Sequence, residues 1–151
     1  MPVKKGRGIL LALLLCIPLI AIWSLTAAGR AQRVAAQQAD VARGKYLVES
    51  VAMCTECHTP RDSEGNLDPQ AWLQGAPIWI MPTKHIPDWA DYAPVLAGLP
   101  SYTDDQMENV LEHGVGLNGG VIRPPMHIYH MNPDDAKAII AYLKSLPIKK
   151  R

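Results

Sequence analysis

Cys54 and Cys57 stand two residues apart in "CTECH", and His58 follows directly. A thiol pair this close can be a small disulfide, half of a zinc site, a redox-active dithiol or a covalent anchor. Each choice places a different demand on the rest of the chain. The third cysteine, Cys16, lies in a long apolar run, so no disulfide framework is available to a small exported fold. A zinc site wants four ligands, and His85, His113, His127 and His130 follow no usual finger spacing. A thioredoxin-like dithiol belongs beside a βαβ unit, and no strand pattern of useful length occurs.

The fourth possibility uses all three residues. In C-x-x-C-H the two thiols add across the vinyl groups of haem, and the adjoining histidine ligates the iron. One turn of chain sets both sulfurs along one edge of the ring and the imidazole beneath the metal. A single such motif predicts a single haem c, attached through Cys54 and Cys57, with His58 as proximal ligand. The second ligand is expected well downstream. Met126, in "GGVIRPPMHIYHM", is the leading candidate, because two prolines stiffen the loop that would present it. Met131, at the entrance of the last helix, and His127 and His130 are its competitors.

Residues 9–28, "ILLALLLCIPLIAIWSLTAA", carry no charge. Twenty residues at helical rise span about 30 Å, the thickness of a hydrocarbon core. Lys4, Lys5 and Arg7 precede them, which predicts a cytoplasmic N-terminus (residues 1–8) and an exported body. Arg30 and Arg33 weaken that bias, and a cleaved signal peptide is the rival reading. Both readings export the body, which agrees with covalent haem attachment on the far side of a membrane. The body itself is acidic: from Asp40 to Leu146 there are seven Lys/Arg against fourteen Asp/Glu, a balance of −7. That argues against nucleic acid and suits a basic protein partner, although a solvated acidic surface needs no partner at all. Lys149, Lys150 and Arg151 form a basic tail.

Residues 29–39 are rich in Ala, Gln and Arg, so this linker is expected to be a helical stalk. Asp40 then reads as a cap for an amphipathic helix with Val41, Tyr46, Leu47 and Val51 on its apolar side. Residues 59–102 hold seven of the thirteen prolines and three of the four tryptophans, with little periodicity. So long a stretch without regular structure needs something to wrap. Two further helices are signalled plainly. "TDDQMENVLEHG" begins with the capping-box pair Thr103 and Gln106 and stops at Gly114. "NPDDAKAIIAYLKSLP" has Asn132 as cap, acids in its first turn and Pro147 as terminator.

The order of helix, "CTECH", proline-rich wrap, capped helix, "RPPM" and final helix over residues 40–148 resembles a class I monohaem c-type cytochrome. It is especially similar to exported bacterial members with "CHTPRD" after the haem anchor and "PPM" before the last helix. The resemblance implies an all-α fold of about 3–5 short helices around one covalently bound haem, here preceded by one transmembrane helix. It implies thioethers at Cys54 and Cys57 and iron ligation by His58 and Met126. It also implies crossed first and last helices, with Gly44 and Tyr142 at the contact. Arg61, Trp89 and Arg123 are candidate partners for the haem propionates, which need donors when buried. Pro77 is the candidate carbonyl for the His58 ring. The chain departs from the pattern in having no phenylalanine.

A haem with both axial positions filled has no open substrate site, and its easy reaction is one-electron transfer. No nucleotide loop or nucleophile with its base occurs elsewhere, so the chain is expected to be an electron carrier rather than an enzyme. The expected setting is the bacterial inner membrane, with the haem domain in the periplasm and redox proteins, including subunits of a membrane complex, as partners. The competing functions are a gas sensor or haem enzyme in which Met126 detaches, and a structural subunit.

Overall fold

The computed structural model describes residues 29–149. The expected transmembrane segment over 9–28, the basic N-terminus and the end of the basic tail lie outside them. Among the described residues no helix is long and apolar enough to cross a membrane. The chain divides into two units at 38/39. Of the first, residues 29–38 are helical and almost wholly exposed.

The second unit opens with helical residues 39–46, called α1 here. Asp40 does not cap this helix, because the residues before it are already helical. Its inner side also differs from the sequence expectation. Tyr46 and Val51 are more than half exposed, while Gly44, Leu47 and Val48 are buried. Counting apolar residues misses a stripe whose middle member is a glycine. The helix then widens into a π turn, Leu47–Val51, whose backbone bonds run from Ala52 N to Leu47 O (2.8 Å) and from Cys54 N to Val48 O (2.9 Å). The extra residue per turn moves Val51 outward and swings Cys54 inward.

The short helix α2, Thr55–His58, carries the motif. The wrap follows, and its only ladder among the described residues is a two-residue antiparallel pair, β1 (Ala76–Pro77) with β2 (Tyr92–Ala93). Leu73 pins the wrap. It is fully buried, its N–H donates to Thr59 Oγ1 (3.0 Å), and its carbonyl accepts from Leu96 N (2.9 Å) and Ala97 N (3.0 Å). Those contacts hold it at φ 56°, a conformation a β-carbon disfavours.

Helix α3, Asp104–His113, starts with the expected capping box: Gln106 N donates to Thr103 Oγ1 (3.3 Å) and Thr103 N to Gln106 Oε1 (3.0 Å). It ends at Gly114 with φ 68°. Helix α4, Pro133–Ser145, is capped by Asn132, whose Oδ1 accepts from Asp135 N (2.9 Å). The buried faces of α3 and α4 pack together, and α4 also meets the π turn. A β-carbon on Gly44 would stand 1.9 Å from the Ala138 carbonyl oxygen, so α1 and α4 touch backbone to backbone. Among the described residues, four helices and almost no sheet give the all-α architecture expected of this chain.

Candidate haem site

The core is not closed. A cavity of about 520 Å³ opens between the motif, the wrap and the last two helices, within the usual range for small-molecule and cofactor sites. Met107, Val110 and Leu111 of α3 and Ile139 and Leu143 of α4 wall it with hydrocarbon. Cys54, Cys57, His58 and Met126 all line it. Residues separated by almost seventy positions are thus brought to one apolar space, which is what the wrap lacked as a core of its own.

His58 is buried, and its Nδ1 lies 2.8 Å from the Pro94 carbonyl oxygen. Against a carbonyl acceptor the ring must donate from Nδ1, which leaves the Nε2 lone pair for a metal. Burial lowers the His58 pKa from its ordinary value, and the bond to Pro94 opposes this only in part. Burial thus favours the neutral imidazole, the form that ligates. The carbonyl partner differs from the expected Pro77. Pairing of Ala76 with Ala93 carries the chain across Gly75, whose added β-carbon would lie 2.9 Å from the Ala93 oxygen. That crossing lays Pro94 against His58, while Pro77 stays exposed on the far strand. Strand pairing between two-residue segments leaves no sequence signal, and so Pro94 was not legible.

The two thiols are unbonded to each other. Burial pushes the Cys54 thiol up to about 11, and burial followed by the nearby Glu56 charge raises Cys57. Among the described residues no three His, Cys, Asp or Glu side chains come together as a metal cluster. Two thiols and one imidazole on a single apolar cavity fit a flat cofactor held at its edge and on one face.

Two buried donors, Trp89 Nε1 and Arg61 Nε, have no acceptor among the described residues. Buried N–H groups are nearly always paired, so Trp89 Nε1 calls for an acceptor from a ligand. Trp89 fits such a role by position. It adjoins Ala90, which lines the cavity, and its carbonyl accepts from Nη2 of Arg123, another lining residue (2.9 Å). Arg61 is a further candidate for a propionate. It stands outside the cavity wall, giving Nη2 to Glu56 (2.6 Å) and Nη1 to the Gly65 carbonyl (2.7 Å). Its guanidinium also lies 4.6 Å from the centre of the Trp79 ring. Trp79 Nε1 in turn donates to the Glu56 carbonyl (3.0 Å), so this cluster braces the outside of α2.

Two further groups escaped the sequence. Tyr129 lines the cavity and donates its hydroxyl to the Ala52 carbonyl (2.8 Å), 77 positions away. Glu49 on the π turn accepts from the Tyr142 hydroxyl and from Trp72 Nε1 (3.2 Å), joining the turn to α4 and the wrap. No local pattern announces contacts of such sequence separation.

The chain is 34% identical over 136 residues to a protein of Cereibacter sphaeroides described as "Diheme cytochrome c-type", an alignment covering 83% of this chain and 42% of that one. It is 34% identical over 112 residues to the fructose dehydrogenase cytochrome subunit of Gluconobacter japonicus, covering 71% and 22%. With the cytochrome c subunit of the quinone alcohol dehydrogenase of Gluconobacter oxydans it shares 33% identity over 122 residues, covering 72% and 24%. The chain therefore spans less than half the length of these relatives. The family model described as Cytochrome c matches residues 41–147, the span that contains the motif, the wrap, both walls of the cavity and Met126. The chain belongs to the cytochrome c family, and within it to the class I c-type cytochromes.

Proposed function

We propose that this chain transfers single electrons through one haem c, attached at Cys54 and Cys57 and ligated by His58 and Met126. The observation that carries the reading is the gathering of those four side chains on one apolar cavity, with His58 fixed by Pro94 in the ligating tautomer. The haem, when bound, supplies an iron that changes charge by one unit. The protein's part is to hold the histidine, exclude water from the ring faces with α3 and α4, and keep the Met126 segment in place. A sulfur ligand raises the potential relative to a second histidine, which suits acceptance of electrons from a dehydrogenase or quinol. Trp89 and Arg123 are the proposed propionate partners.

The dehydrogenase cytochrome subunits among the relatives support a role as an electron-transfer subunit beside a redox partner. Residues 9–28 support a membrane anchor with the haem domain on the periplasmic side, and tethering of that kind raises the encounter rate with partners in the same membrane. Purified haem-loaded protein tests the reading. One haem per chain, a single one-electron wave in potentiometry and a sulfur-to-iron charge-transfer band lost in Met126→Ala are expected. A histidine–histidine spectrum in the intact protein would overturn Met126 as ligand.

A further inference from the structure

The segment bearing Met126 is tied on both flanks. Upstream, Arg123 donates from Nε to the Asp88 carbonyl and from Nη2 to the Trp89 carbonyl, each at 2.9 Å. Ala90 N adds a bond to the Pro124 carbonyl at 2.7 Å. These fasten the loop to the wrap. Downstream, Ile128 sits over Gly114, and Met131 N donates to the Leu111 carbonyl (3.1 Å), which fastens it to α3. Tyr129 makes the remaining tie, and its destination is different. Its hydroxyl donates to the carbonyl of Ala52, which closes the π turn two residues before Cys54. Ala52, Tyr129, His58 and Met126 all line the same cavity.

The Tyr129 bond therefore spans from the Met126 side of the cavity to the thioether side. A thioether is a weak ligand, and a loop already held in its bound position gives up less entropy when the sulfur engages. We propose that Tyr129 is a positioning residue that holds the Met126 segment against the Cys54–His58 turn and thereby sets how readily an outside ligand displaces Met126. The proposal rests on Met126 as the second axial ligand.

Imidazole titration of the oxidised, haem-loaded protein tests it, with the charge-transfer band as readout. Loss of one hydrogen bond in Tyr129→Phe should tighten imidazole binding about three- to tenfold and speed carbon monoxide binding to the reduced protein. Tyr142→Phe removes another tyrosine hydrogen bond, to Glu49, outside the cavity lining. It should lower the urea midpoint and leave imidazole affinity unchanged, which separates positioning from general destabilisation. In a Met126→Ala background, where no sulfur needs displacing, Tyr129→Phe should have no effect on imidazole affinity. In the unmutated protein, the Tyr129 hydroxyl proton should exchange slowly and lose that protection on saturation with imidazole, a measurement that needs no variant. Unchanged imidazole affinity in Tyr129→Phe, with a band present in the parent and abolished by Met126→Ala, overturns the positioning role alone. A band that survives Met126→Ala overturns the ligand assignment and the positioning role with it.

Discussion

Gly44 and Tyr142 meet where α1 crosses α4: a β-carbon on the glycine would stand 2.8 Å from the tyrosine Cβ and 1.9 Å from the Ala138 oxygen. Two of the three nearest obstacles are backbone atoms, so the crossing has no soft side on which to give way. The approach lets Val48 and Ile139 share one core and brings the Tyr142 hydroxyl to Glu49.

Gly44→Ala should consequently be destabilising despite the better helix propensity of alanine, which is worth about 1 kcal/mol. Overpacking at a rigid contact costs about 1–3 kcal/mol, and a clash with backbone belongs at or above the upper end. Urea unfolding of the haem-loaded protein, followed by tryptophan fluorescence, reads the change. A midpoint equal to that of the parent would mean that the helices separate easily.

The Tyr142 phenol should make the fold sensitive to alkali. Burial, and then the bond to Glu49, push it up to about 12, against about 10 in an unfolded chain. The folded state thus keeps a proton that the unfolded state releases. That stability is fully present below pH about 10 and is lost as pH rises toward 12. Urea midpoints measured from pH 8 upward should fall across this window, and fall less steeply in Tyr142→Phe.

At the acid end the corresponding pair is Arg43 and Asp135, joined at 2.9 Å across α1 and the first turn of α4. The hydrogen bond from Arg43 is the main cause that holds the Asp135 carboxyl below its usual range, with Asn132 adding to it. Its contribution is present above pH about 4 and disappears as pH falls through the lowered folded value. Asp135→Asn should lower the thermal midpoint slightly at pH 7, a gap that closes in strong acid and shrinks with added salt.

Thr103→Ala removes the acceptor for Gln106 N and leaves the first turn of α3 with an unpaired donor. Loss of such a cap costs typically about 1 kcal/mol, and Thr103→Ser should restore most of it. Thermal unfolding monitored by circular dichroism distinguishes the two variants.

How far the sequence revealed this molecule depended on the range of each interaction. Thr103 with Gln106 and Asn132 with Asp135 are three residues apart, and both caps were legible from residue type alone. Cys54, Cys57 and His58 lie within five residues, and their chemistry is their spacing. Gly44 with Tyr142 was reached only through the family resemblance, since a glycine gives no apolar signal. Pro94 against His58, Tyr129 against Ala52 and Arg61 against Glu56 followed from neither. The first two depend on how the wrap and the last loop fold back. For Arg61 only the positive charge was visible in the sequence, and its pairing with the carboxylate of Glu56 was not.

The cavity bounded by Met107, Leu111, Ile139 and Leu143 has one more consequence. Removing its occupant would strip contacts from α3 and α4 at once, so maturation and folding are thermodynamically linked, each favouring the other. A substitution on that hydrocarbon wall would then register in a cell first as a shortage of coloured protein.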